Sequence, residues 1–141
     1  MKYIFDEFNY ILRLGKGELL MEQVTYFVKD KVINGAWLMG LGGAQWAELG
    51  FYHLDKKQYE WKKYNEPLEI LSLQGNIARE GDDPALHIHG IFSDAKMQYV
   101  GGHVKELEVA GTCEIFIHRF AKGGKLKRSY NDEVGLKLLD L

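Results

Sequence analysis

Three histidines carry the most specific chemistry in this sequence: His87, His89 and His103. The first two lie in Leu86-His87-Ile88-His89-Gly90-Ile91-Phe92-Ser93, and the third closes Met97-Gln98-Tyr99-Val100-Gly101-Gly102-His103. Two apolar runs separated by the polar Asp94-Ala95-Lys96 have the pattern of a β-hairpin. On a strand, residues two apart point to the same face, so His87 and His89 would stand roughly 6.5–7 Å from each other. If Asp94–Lys96 forms an odd-length loop with Ser93 opposite Met97, His87 falls opposite His103, and opposed residues share a face. Three neutral imidazoles meeting at one patch are a donor set for zinc or another first-row divalent metal, with a fourth position left for water or another ligand.

Parity decides this arrangement. An even-length loop would send His103 to the other face, and Gly101-Gly102 invites a bulge that would shift the register again. The competing reading is structural, with half-buried rings hydrogen-bonded to neighbours. The third histidine on the partner strand is what brings the metal reading level with it.

The elements that would position these residues can be read in chain order. Phe8–Leu14 is expected to be a strand, broken by Gly15-Lys16-Gly17. From Glu18 to about Lys31, Leu20, Val24, Phe27 and Val28 recur at three- and four-residue intervals, an amphipathic helix ended by Asn34-Gly35. Apolar strands follow at 36–43 and 44–54, the latter pairing with 58–64 across Asp55-Lys56-Lys57. Strand 67–77 alternates apolar and polar residues, Gly81-Asp82-Asp83-Pro84 turns into the histidine hairpin, and 107–120 forms a long apolar strand before a polar, basic tail. One helix among many short strands implies an α+β class with a mainly antiparallel sheet.

With 141 residues and neither linker nor repeat, the chain is expected to be a single domain over 1–141. A net charge of −2 and a pI near 6.2 provide no global attraction for a polyanion. The acidic residues near the start argue against a signal peptide, and no apolar stretch is long enough to span a bilayer, so a cytoplasmic location with no membrane partner is expected. Cys113 lies in an apolar run and reads as a buried reduced thiol. Gly40-Leu41-Gly42-Gly43 follows a strand but lacks a Gly-Lys-Ser/Thr sequence or a following helix, so close packing or a bulge explains it better than phosphate binding. Arg119, Lys122, Lys125, Lys127 and Arg128, around Gly123-Gly124, are the best local candidates for nucleic-acid contact; a solvated hairpin tip is the plainer account.

Taken together, several stretches resemble the PPC (plants and prokaryotes conserved) domain. They are Leu12–Glu18, Gly40-Leu41-Gly42, Leu49–Tyr52, Leu68–Gly75, Leu86–His89, Gly101-Gly102-His103, Arg128-Ser129-Tyr130 and Gly135-Leu136. The resemblance spans nearly the whole chain in the family's order. It implies an antiparallel sheet flanked by a few helices, assembled as a homotrimer, and a histidine patch at His87, His89 and His103 able to hold a metal. It also implies partner contacts through Leu68, Glu69, Ile70 and Leu71. Plant members carry an Arg-Gly-Arg-Pro AT-hook, which this sequence lacks; a DNA or DNA-binding-protein partner is thus an expectation inherited from relatives.

Two functional classes follow. One is a trimeric, non-enzymatic binding or regulatory protein with a three-histidine metal patch. The alternative is a zinc-dependent enzyme of hydrolase or lyase type, in which metal-bound water is activated and a carboxylate serves as base or supports a ligand. Glu114 and Glu69 are the candidates for that carboxylate, each sitting within an apolar strand. No nucleophile–base pair is recognisable, which favours the first class.

Overall fold

A computed structural model describes residues 1–120 and 124–141. Nine strands and one helix are present among them: β1 (Lys2–Asp6), β2 (Asn9–Gly15), α1 (Leu20–Asp30), β3 (Ala36–His53), β4 (Gln58–Tyr64), β5 (Leu68–Glu80), β6 (Asp83–Ser93), β7 (Tyr99–Arg119), β8 (Lys127–Asn131) and β9 (Leu136–Asp140). The sheet is antiparallel except for a single β5–β8 pairing of Arg79 with Lys127. The α+β expectation is met with one helix among the described residues; the few flanking helices implied by the resemblance are reduced to α1. No helix among these residues is long and apolar enough to cross a membrane.

Segments 36–43 and 44–54, expected as two strands, are one long strand, and Tyr99–Arg119 is continuous as well. Length lets β3 and β7 each serve two neighbourhoods. β3 pairs with β5 through its first half and β4 through its second; β7 pairs with β6 at its start and β2 at its end. Pairings β3–β5, β5–β6, β6–β7 and β7–β3 therefore close a circuit. Strands that run through such a circuit must bend, and the register shifts at Gly40/Gly42, Gly42/Ala44, Ala44/Trp46 and Glu48/Leu49 are where β3 does so. At Gly42 a β-carbon would lie 2.3 Å from the carbonyl oxygen of Thr112, so the glycine permits close strand approach at the bend.

The interior face carries Leu12, Leu14, Leu38, Leu73, Ile77, Ile88, Leu107 and Ile115, against which α1 lays Leu20, Val24, Phe27 and Val28. The helical stripe read from the sequence is the buried one. Its N-terminus has no side-chain cap from Leu19. The Glu106 carboxylate of β7 accepts instead from the amides of Met21 at 2.8 Å and Glu22 at 3.3 Å, placing negative charge at the positive end of the helix. Cys113 is fully buried, and burial pushes its thiol up to about 12.

Candidate metal centre

The connection from β6 to β7 is longer than the Asp94–Lys96 loop expected. Met97 takes a positive φ of 61° and so belongs to the turn, while Asp94 Oδ1 accepts from the amides of Lys96 and Gln98 at 2.8 and 2.9 Å. Ser93 thus pairs with Tyr99 in place of Met97, and His103 stands opposite His89 in place of His87. The slip is of two residues, so parity survives. The ladder also runs through Gly101 and Gly102 with no bulge against β6. All three rings share one face.

Register places them in a longer row. Ile11 pairs with Phe116, Phe116 with Met39, Met39 with Gln74, Gln74 with His89, His89 with His103, His103 with Gly50 and Gly50 with Trp61. One face therefore runs from an exposed apolar patch to the histidines and on to an aromatic flank.

Ring centroids of the three histidines are 5.0, 5.2 and 5.4 Å apart, and one nitrogen from each lies within 4.8 Å of the others. With zinc–nitrogen bonds of about 2.0–2.1 Å, tetrahedral donors stand roughly 3.4 Å apart. The Nε2 atoms of His87 and His89 are already at 3.1 Å; closure of at most roughly 1.4 Å would bring in the third. His103 Nδ1 is buried with no hydrogen-bond partner, an orphaned donor atom of the kind a metal site requires. Tyr59 and Trp61 pack against its ring at 5.1 and 6.0 Å between centroids.

Electrostatics keep two of the rings neutral. Burial, then the Arg128 guanidinium and His89, push His87 down to about 4; burial, the other two rings and Arg128 push His103 to about 4. Neutral imidazoles are ready to ligate at neutral pH without losing a proton.

Arg128 reaches the histidines, a contact the sequence did not reveal. Nominated for nucleic acid, its Nη2 donates to His87 Nδ1 at 3.1 Å and to Asn76 Oδ1 at 2.7 Å, and its Nη1 to the carbonyl of Lys137 at 2.8 Å. Its distance of 41 residues from His87 left no local signal. Because Nδ1 of His87 accepts that bond, the proton of the neutral ring is on Nε2. Ligation through Nε2 would move the proton to Nδ1, and ligation through Nδ1 would occupy the lone pair. Either way, a cation on His87 displaces Arg128.

The remaining nominees lie elsewhere. Glu69 pairs with Gly43 and Ser93, and Glu114 with Arg13 and Leu41, both toward the end of the sheet away from the histidines. Strand alternation turns both outward to solvent, so neither carries the burial cost inferred from its apolar neighbours, and neither joins the histidine cluster. Leu68 and Ile70 are buried in the core, leaving Glu69 and Leu71 as the exposed members of that segment. Arg119 is tied to the carbonyl of Glu7 and packs over Phe5 and Tyr10. Lys125 and Lys127 are exposed, and Lys127 is the β-ladder register partner of Asp140; Lys122 lies outside the described residues. Arg119 is thus set apart, whereas Arg128 lines a second pocket together with Lys125, Lys127 and Arg79.

A bent antiparallel sheet, one packed helix and an imidazole cluster on the sheet face define a small α+β protein with a histidine-lined site. The chain belongs to the Plants and Prokaryotes Conserved (PCC) domain family, whose sequence profile matches residues 6–121. A structure described as a metal-containing protein from Archaeoglobus fulgidus is 34% identical, with full coverage of both chains and a TM-score of 0.87. One described as a putative DNA-binding protein from Ralstonia eutropha is 30% identical over 99% of this chain and 96% of that one, with a TM-score of 0.92. A plant- and prokaryote-conserved protein from Pyrococcus horikoshii is 28% identical over 99% and 95%, with a TM-score of 0.88. None of the curated proteins matches the sequence.

Proposed function

We propose that the whole chain, residues 1–141, acts as one PPC-type binding or regulatory protein that holds zinc or a similar divalent metal on His87, His89 and His103. The observation that carries this reading is the convergence of three nitrogen donors within 4.8 Å of one another. The metal-containing relative from Archaeoglobus fulgidus supports it. When bound, the metal supplies a positive centre with an open position for a ligand. The enzymatic alternative is less well supported, because Glu69 and Glu114 are remote and Glu80, lining the adjoining cavity, is ion-paired with Lys137.

The protein works as a homotrimer in this reading. Ile11, Met39, Leu41, Leu71 and Ile91 are exposed on or beside the histidine-bearing face, and grouped exposed apolar side chains mark contact surfaces. A second copy covering that face would meet Gln74 and His89 at its border. DNA association, which the description of the Ralstonia eutropha relative suggests, is the weaker part of the proposal.

Elemental analysis of protein purified without a histidine tag tests the metal. About one divalent ion per chain, lost in His87→Ala, is expected; metal content unaffected by that substitution refutes ligation. Light scattering at micromolar concentration tests the assembly, and a monomer mass refutes the trimer.

A further inference from the structure

His87 and His103 form one wall of a cavity of about 410 Å³, and Arg128 forms part of another. The rest is mainly apolar: Tyr59, Leu86, Leu136 and Leu138 line it. Arg128 is half-buried, its Nε has no hydrogen-bond acceptor, and no acidic side chain pairs with it among the described residues. A guanidinium withdrawn from water without a counter-ion is costly. The acidic residue at hand, Glu80, is committed to Lys137. The cavity therefore offers one uncompensated cation, rigidly presented, surrounded by hydrocarbon and aromatic surface.

We propose that this cavity binds a small organic monocarboxylate, with Arg128 as the counter-ion and the apolar walls holding the organic body. The planar fork of arginine matches a carboxylate in a bidentate pair. The volume suits a metabolite-sized ligand. An inorganic phosphate dianion fits less well, since Lys137 is neutralised by Glu80 and Arg128 is left as the one unpaired cation to balance two charges. The inference concerns the same site as the metal reading and becomes stronger with it: a cation on His87 releases the Arg128 Nη2 hydrogen that His87 now accepts. Without the metal a single contact remains, through the second hydrogen of Nη1, the first being given to the Lys137 carbonyl; Nε itself is buried.

Titration calorimetry with benzoate as probe, on EDTA-treated and on zinc-loaded protein, tests it. Saturable binding is expected in both, with benzamide weaker by about ten-fold or more, the loss typical of a charge-assisted pair. Arg128→Gln should weaken benzoate by a similar factor. Leu138→Glu, at a partly exposed wall position, should do so by placing a like charge in the cavity. Equal binding of benzoate and benzamide, displacement by phosphate at lower concentration than by benzoate, or unchanged affinity in both variants overturns the proposal. Zinc binding without benzoate binding in either form overturns it and leaves the metal reading intact. Benzoate binding without zinc binding supports it and removes the metal reading alone.

Discussion

Trp61 occupies the space above Gly50 so closely that a β-carbon added to Gly50 would lie 2.5 Å from Cζ3 of the indole. Gly50 is also the register partner of His103, and the Trp61 ring stands 6.0 Å from the His103 ring. The absence of a side chain at position 50 thus lets the aromatic flank close over the histidine cluster. Gly50→Ala should force Trp61 and Tyr59 aside, costing about 1–3 kcal/mol as overpacking does. The expected result is a lower Tm together with weaker zinc binding. Unchanged values of both would show that the flank does not support the site.

Arg128 and a cation compete for His87, and the competition has a measurable sign. Replacing Arg128 by Met removes a positive charge beside the site and frees the His87 lone pair. Zinc affinity, measured by competition with a chromophoric chelator in the absence of carboxylates, should rise several-fold. A fall would mean that Arg128 organises the rings more than it opposes the ion.

Protonation of the metal-free protein should destabilise it over a defined window. His87 and His103 titrate at about 4 in the folded chain, against an ordinary value of 6.5. Between those values the unfolded chain binds more protons, so stability is complete above about 6.5, falls as pH drops through the window, and levels off below about 4 with respect to these two groups. Thermal melts at steps from pH 8 to pH 4 should show the decline, and His87→Gln with His103→Gln should flatten it. A decline of the same size in the double variant would assign it to carboxylates.

The helix start depends on a residue distant in sequence. Glu106→Ala leaves the Met21 and Glu22 amides without their acceptor. The expected loss is about 1–2 kcal/mol, in the range of a removed N-cap. Urea unfolding measures it; a change under about 0.3 kcal/mol, well below the usual cost of a lost cap, would show that water replaces the carboxylate.

Cys113 should be chemically silent. Its thiol is fully buried and pushed up to about 12, so the thiolate that reacts is scarce. Ellman's reagent at pH 8 should label it only after unfolding. Prompt labelling of the native protein would reveal opening of the sheet between β2 and β7.

The amphipathic stripe of α1, the alternation along β5 and the hairpin bearing the histidines were legible because each is a local pattern, set by the periods of helix and strand. Parity was left open by the sequence; the turn at Asp94–Gln98 shifted the expected register by two residues and so kept the three imidazoles on one face. The roles of the single charged residues were not legible. Glu69 and Glu114 sit in apolar stretches yet point to solvent, and Arg128 turns inward from a basic tail. Which face of a strand is buried, and what a long side chain reaches, depend on strands paired across dozens of residues. Here that is the circuit of β3, β5, β6 and β7, which brings Gly50, Trp61 and Arg128 to the histidines. Periodicity in the sequence determined the elements, and put His87 and His89 on one face. Closure of the sheet alone decided the company those three rings keep, because long-range pairing leaves no trace in local spacing.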